Sequence, residues 1–206
     1  MELINIKKYH KNFNIVIPFD SNEYIRTNQD FFPYVSEYIS RYTERYNKDK
    51  FFIYDLCNSN DFFTIFMSKV IGFKNVIKII SHIKFLKRIQ QTIALNTISN
   101  IEVYNSKNYN SLMRDRDIAF AIMNSFEDLK FIKLVMKSER LHNIIILNPH
   151  SLSLSMKKDL NSYGYNLYEI ADRGIKDIED YEEILNPVLV RHKASLTDEK
   201  IIVRFD

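Results

Sequence analysis

Asp55, Cys57, Ser59 and Asp61 fall within seven residues of one another, in a polar turn between the β-rich run Phe51-Phe52-Ile53-Tyr54 and the apolar segment Phe62 to Ile71. A thiol at the start of such a turn, leading into a helix N-terminus, is placed where the thiolate is favoured. Nucleophilic work by Cys57 needs a base, and His82, at the end of the next strand, is the histidine that the topology brings to the same sheet edge. Cys/His pairs outside a motif rarely mean catalysis, so a small residue filling the turn is the preferred reading of Cys57. His142, His150 and His192 stand at strand ends without metal-ligand spacing, and His10 stands alone, so no metal site is expected. Lys78, Lys84, Lys87 and Arg88 form a basic run that could meet phosphates, although such a run on a helix is ordinarily a solvated face. No P-loop, G-x-S-x-G or H-E-x-x-H word occurs, and no catalytic residue is assigned.

The elements that must position these residues follow from periodicity and turn chemistry. Phe51 to Tyr54, Val76 to Ile80 and Ile101 to Tyr104 read as strands. Phe62 to Ile71, closed by Gly72, and Ile83 to Leu95, with apolar residues at helical spacing, read as the helices between them. Near-continuous apolar strands separated by helices predict βαβ units and a parallel sheet. Beyond them, Asp117 to Met123 is predicted as a fourth strand, Phe126 to Glu139 as a helix, Asn143 to Leu147 as a fifth strand and Met156 to Tyr163 as a helix closed by Gly164. Tyr165 to Ile170 is a sixth strand, residues 171 to 186 a polar loop and Val188 to Val190 a seventh strand. The first 49 residues form an N-terminal extension with one strand, Phe13 to Ile17, and a helix from Tyr34 to Tyr46. Four tyrosines stand on that helix at i,i+4 spacing, Tyr34, Tyr38, Tyr42 and Tyr46. They could stack bases or sugars, but rings that cover a sheet are the commoner use of such a stripe. Residues 50 to 193 make the main domain, and residues 194 to 206 a tail.

Composition excludes several classes. With 46% apolar residues the chain can build a core, and a single cysteine rules out an internal disulfide framework. A formal charge of +3 implies neither a nucleic-acid nor a membrane partner. No segment reaches about 18 consecutive apolar residues, and the N-terminus lacks a signal-peptide core, so a soluble, cytoplasmic protein without a membrane span is expected.

The order Phe52-Ile53-Tyr54-Asp55, a turn, Phe62-Phe63-Thr64, Lys74-Asn75-Val76-Ile77, a helix ending Ile93-Ala94-Leu95-Asn96, and Ser99-Asn100-Ile101-Glu102-Val103 resembles the first half of a Rossmann-like S-adenosylmethionine-dependent methyltransferase. It is most similar to the FkbM family. Asp117-Ile118, Ile144-Ile145-Ile146 and the stretch Leu160 to Tyr168 extend the likeness over residues 50 to 193. The resemblance implies an α/β fold with a mainly parallel seven-stranded sheet, helices on both faces, and strand order 3-2-1-4-5-7-6 with the last strand antiparallel. It further implies S-adenosylmethionine as cofactor, held by Asp55, Cys57, Ser59, Asp61, Ser81 and Asn124, and a sugar or small-molecule hydroxyl as acceptor, with Asn124 or His150 near it.

The chain departs from the family at those positions. Cys57, Ser59 and Asp61 replace the glycines that let backbone N–H groups reach the methionyl carboxylate. Ile80 or Ser81 falls where an acidic residue binds the ribose hydroxyls, and Met123-Asn124-Ser125-Phe126 replaces an acidic loop. Two readings therefore stand open: a divergent O-methyltransferase, and a non-catalytic methyltransferase-fold subunit that binds or scaffolds a protein partner. A nucleic-acid partner, through Lys84, Lys87, Arg88 and the tyrosine helix, is the weaker third.

Overall fold

The computed structural model describes residues 2–8, 11–17, 32–44, 46–58, 61–106, 116–125, 133, 136–137, 140–147, 154–171, 174–178 and 187–191. An antiparallel hairpin comes first, β1 (Glu2–Lys8) and β2 (Lys11–Ile17). Helix α1 (Phe32–Thr43) leads to β3 (Phe52–Asp55), α2 (Phe62–Ile65, continuing with π-helical winding through Phe66–Ile71), β4 (Asn75–Ile80), α3 (Lys84–Leu95) and β5 (Ile101–Asn105). Then follow β6 (Ile118–Met123), β7 (Leu141–Ile146), α4 (Leu154–Ser162), β8 (Tyr165–Ala171), β9 (Gly174–Asp177) and β10 (Pro187–Arg191).

The main sheet has eight strands in the order β5-β4-β3-β6-β7-β10-β8-β9. Counted from β3 with the edge strand β9 left out, the order reads 3-2-1-4-5-7-6, the expected one. Strand β10 runs antiparallel to both neighbours, β7 and β8, while β5, β4, β3, β6 and β7 pair in parallel. Two strands were not foreseen. The loop read from 171 to 186 contains β9, which adds an antiparallel edge to β8. The loosely patterned N-terminus contains β1, whose alternation of Leu3, Asn5 and Lys7 with Ile4 and Ile6 gains meaning only when β2 pairs with it along seven residue pairs. Of the helix expected from Phe126 to Glu139, residues 133, 136 and 137 are described and are helical. Ser59, His10, His150, His192 and the tail 194–206 lie outside the described residues.

Strand alternation divides the core into two layers. Ile53, Val76, Phe120, Ile122 and Ile145 face one layer with β2, α1 and α2. Tyr54, Ile77, Ala121, Ile144 and Leu189 face the other, with Met136 and Leu160. Both faces of the central strands are therefore dry, which is why they read as continuous apolar runs. Gly72 ends α2 at φ +88°, where its N–H and that of Phe73 both reach the Met67 carbonyl, and Lys48 Nζ donates to the last carbonyl, that of Ile71, at 2.7 Å.

The tyrosine helix is a packing element. Tyr38 and Tyr42 are buried, and Tyr38, Tyr42 and Tyr46 meet the ring of Phe120 at centroid distances of 6.4, 5.8 and 6.2 Å. Their hydroxyls have work at the edge: Tyr38 donates to Asn143 Oδ1, while Asn143 Nδ2 reaches Tyr46 Oη and the Ala119 carbonyl. The hairpin is fastened differently. Asn96, buried just past α3, accepts from Val16 N–H at 3.0 Å and donates to the Val16 carbonyl at 2.6 Å, as a neighbouring strand would. Asn96→Ala is expected to lower stability by about 1–3 kcal/mol, because both Val16 groups lose their partner. Urea unfolding gives the magnitude, and amide exchange at Val16 gives the location.

Candidate functional site

The turn after β3 closes around its own charges. Asp55 ends β3 opposite Lys78 of β4 in the parallel register, and both side chains lie on the same sheet face as Ile53 and Val76. The Asp55 carboxylate accepts from the Cys57 N–H at 2.8 Å, from the Thr64 hydroxyl and from Lys78 Nζ at 3.0 Å. Lys78 Nζ also donates to the Cys57 carbonyl and lies 3.7 Å from Asp61 Oδ1. Asp61 stands at the N-cap of α2 without capping it. Its carboxylate is instead clasped by Arg88 of α3, Nε to Oδ2 at 3.0 Å and Nη2 to Oδ1 at 3.2 Å. A second bond from Nη2 ends on the Asn58 carbonyl, and the guanidinium stacks over Phe85 at 5.0 Å. Two carboxylates thus face two cations, and Asp55, Asp61 and Lys78 have no exposed side-chain surface. Burying any one alone would cost several kcal/mol, so the four depend on one another.

This arrangement corrects the reading of Lys78 as part of a solvated basic face. Lys84 and Lys87 are exposed, but Lys78 is buried at the centre of the turn, because a strand covered on both faces leaves its ammonium no route to water. The signal was present in the sequence: one lysine inside Asn75-Val76-Ile77-Lys78-Ile79-Ile80 requires a counter-charge, and Asp55 ends the neighbouring strand. Arg88 and Thr64 were likewise not singled out as partners of the turn. Cys57 is buried, whereas His82 is exposed and packs toward Phe85, so the thiol and the imidazole differ in the access that nucleophilic catalysis needs. Ser81 follows β4 and its N–H donates to Asn58 Oδ1 at 2.7 Å. Asn124 follows β6, half-buried, at the same carboxyl edge of the sheet as Asp55. Among the described residues no group of three or more His, Cys, Asp or Glu side chains could hold a metal ion, and no helix is long and apolar enough to cross a membrane.

One residue back from Asp55, the chain faces the other layer. Tyr54 is wholly buried, and desolvation pushes its phenol up to about 12, offset in part by Arg116. Tyr165 is raised to about 12 for the same first reason, offset by Arg191, and donates to the Leu141 carbonyl at 2.6 Å. For a phenol the raised value means that the fold holds the proton more tightly than the unfolded chain does. The stabilisation is complete below pH 10 and is lost between about pH 10 and 12, on the order of 3 kcal/mol for each group. The urea midpoint is expected to fall steeply in that window, and Tyr54→Phe should flatten the fall; an unchanged slope would contradict the assignment.

No protein-family model matches the chain, and no curated protein matches it in sequence. Solved structures match it in fold. An uncharacterized protein of Listeria monocytogenes serotype 4b superposes with a TM-score of 0.52 at 10% identity, over 77% of this chain and 66% of that one. The methyltransferase domain of bacterial CtHen1 does so at 0.50 and 13%, over 80% and 97%. TrmK of M. capricolum, solved with S-adenosylhomocysteine, gives 0.49 and 14%, over 77% and 66%. At such identities the likeness concerns the fold: this chain has the Rossmann-like fold of the S-adenosylmethionine-dependent methyltransferases.

The residues of this chain do not fit the methionyl end of that cofactor as they stand. A methionyl ammonium would seek the Asp55 carboxylate and the Cys57 carbonyl, and both already hold Lys78. A methionyl carboxylate would meet the Asp61 carboxylate, already clasped by Arg88.

Proposed function

We propose that this protein is a non-catalytic methyltransferase-fold module, a binding or scaffolding subunit for a protein partner, in which the cofactor end of the fold has become structural. The observation that carries the reading is the Lys78 ammonium, fully buried and 3.0 Å from Asp55. To bind, a cofactor would have to displace a buried cation from its carboxylate, and a penalty of about 4 kcal/mol already turns micromolar affinity into millimolar. The groups that would orient a methyl donor are engaged with one another.

The alternative reading, a divergent FkbM-like O-methyltransferase acting on a sugar or small-molecule hydroxyl, draws support from Asp55 and Asn124. Both lie at the carboxyl edge of the sheet, where open α/β sheets take their ligands. Asp55, Cys57, Ser59, Asp61, Ser81 and Asn124 would then be the cofactor contacts. Calorimetric titration with S-adenosylmethionine and S-adenosylhomocysteine separates the two readings. No binding up to millimolar concentration is expected. Micromolar binding abolished by Asp55→Ala would establish the enzyme instead.

A further inference from the structure

The charge cluster has the composition of an occupied site. An ammonium held between a carboxylate and a backbone carbonyl, beside a carboxylate held in the fork of an arginine, is how a protein binds an α-amino-acid head. We propose that Lys78 and Asp61 are that head, supplied from within the chain: the Asp55 carboxylate, the Cys57 carbonyl and the Arg88 guanidinium form a zwitterion site filled by the protein's own side chains. This rests on the closed-site reading above and gives it a cause.

Three observations agree on the point. Lys78 Nζ and Asp61 Oδ1 are 3.7 Å apart, comparable to the roughly 3 Å between the charged groups of an α-amino acid. The stand-ins come from different elements, β4 and the turn before α2, and the groups that receive them come from β3, the start of that turn and α3. The Asp61 carboxylate also forgoes the cap that its position at the start of α2 offers, and turns to the cations. A structural ion pair needs one acid and one base. Here a second pair completes the pattern of a ligand.

The site can be vacated without unbalancing it. The double variant Asp61→Gly/Lys78→Ala removes one charge of each sign, leaving Asp55 and Arg88 to face an incoming zwitterion. The probes are S-adenosylhomocysteine, which carries the amino-acid head, and methylthioadenosine, which shares the nucleoside and thioether but lacks it. Calorimetry of the wild type is expected to show neither binding. In the double variant S-adenosylhomocysteine should gain at least tenfold in affinity and raise the melting temperature, while methylthioadenosine stays unchanged. A folded double variant that binds S-adenosylhomocysteine no better, or gains equally for both probes, overturns the zwitterion site and leaves the closed-site reading standing. Binding of S-adenosylhomocysteine by the wild type overturns the closed-site reading itself. Should the double variant fail to fold, Asp61→Gly alone frees Arg88 for a ligand carboxylate and must show the same preference between probes; no preference there overturns the proposal.

Discussion

Lys78→Met is expected to cost about 3–5 kcal/mol in urea unfolding, among the largest effects of any single substitution in this protein. The methionine fills most of the volume, so the loss comes from charge. Asp55 keeps its bonds from the Cys57 N–H and the Thr64 hydroxyl but loses its cation, and Asp61 is left to Arg88, whose side chain is 17% exposed. An uncompensated buried carboxylate is worse than a buried pair, and often worse than no charge at all. Asp55→Asn in the Lys78→Met background should therefore recover much of the loss, and the double-mutant cycle should return a coupling of a few kcal/mol. Near-additive costs, or a Lys78→Met protein within 1 kcal/mol of the wild type, would mean that the ammonium does not depend on Asp55.

Phe120→Ala should cost a similar 3–5 kcal/mol for a different reason. Phe120 is fully buried on β6, and three tyrosines spaced along α1 and just beyond it rest on its ring. Removing the ring opens a cavity beneath the stripe, which a stiff strand and a tethered helix fill poorly. The tyrosine signal in near-ultraviolet circular dichroism should weaken, and proteolysis near residues 44–51 should quicken before global unfolding. Phe120→Leu, closer in volume, should cost less. A Phe120→Ala protein with native tyrosine signal and unchanged stability would show that α1 is held elsewhere.

Most of the sheet was legible in the sequence because its strands are buried on both faces, and a run such as Ile118-Ala119-Phe120-Ala121-Ile122 has no other placement. Gly72 and Gly164, both at positive φ, marked their helix ends correctly. The missed strands, β1 and β9, both lie at the edges of their sheets. The residues of the turn were visible as a group, Asp55, Cys57 and Asp61, yet of their partners only Lys78, a lone charge in an apolar strand, left a signal in the sequence.

The chain by itself determined the class of fold, the positions of the central strands and helices, and the loss of glycine after β3, since local pattern and turn chemistry depend on neighbours in sequence. Only the tertiary structure decided what the turn does. Lys78 lies 23 residues from Asp55 and Arg88 lies 27 residues from Asp61, and parallel pairing of β3 with β4 and the packing of α3 bring them within bonding distance. In water those four charges would each be hydrated and independent. Excluded from water they must neutralise one another, and that requirement joins residues far apart in the chain into one site.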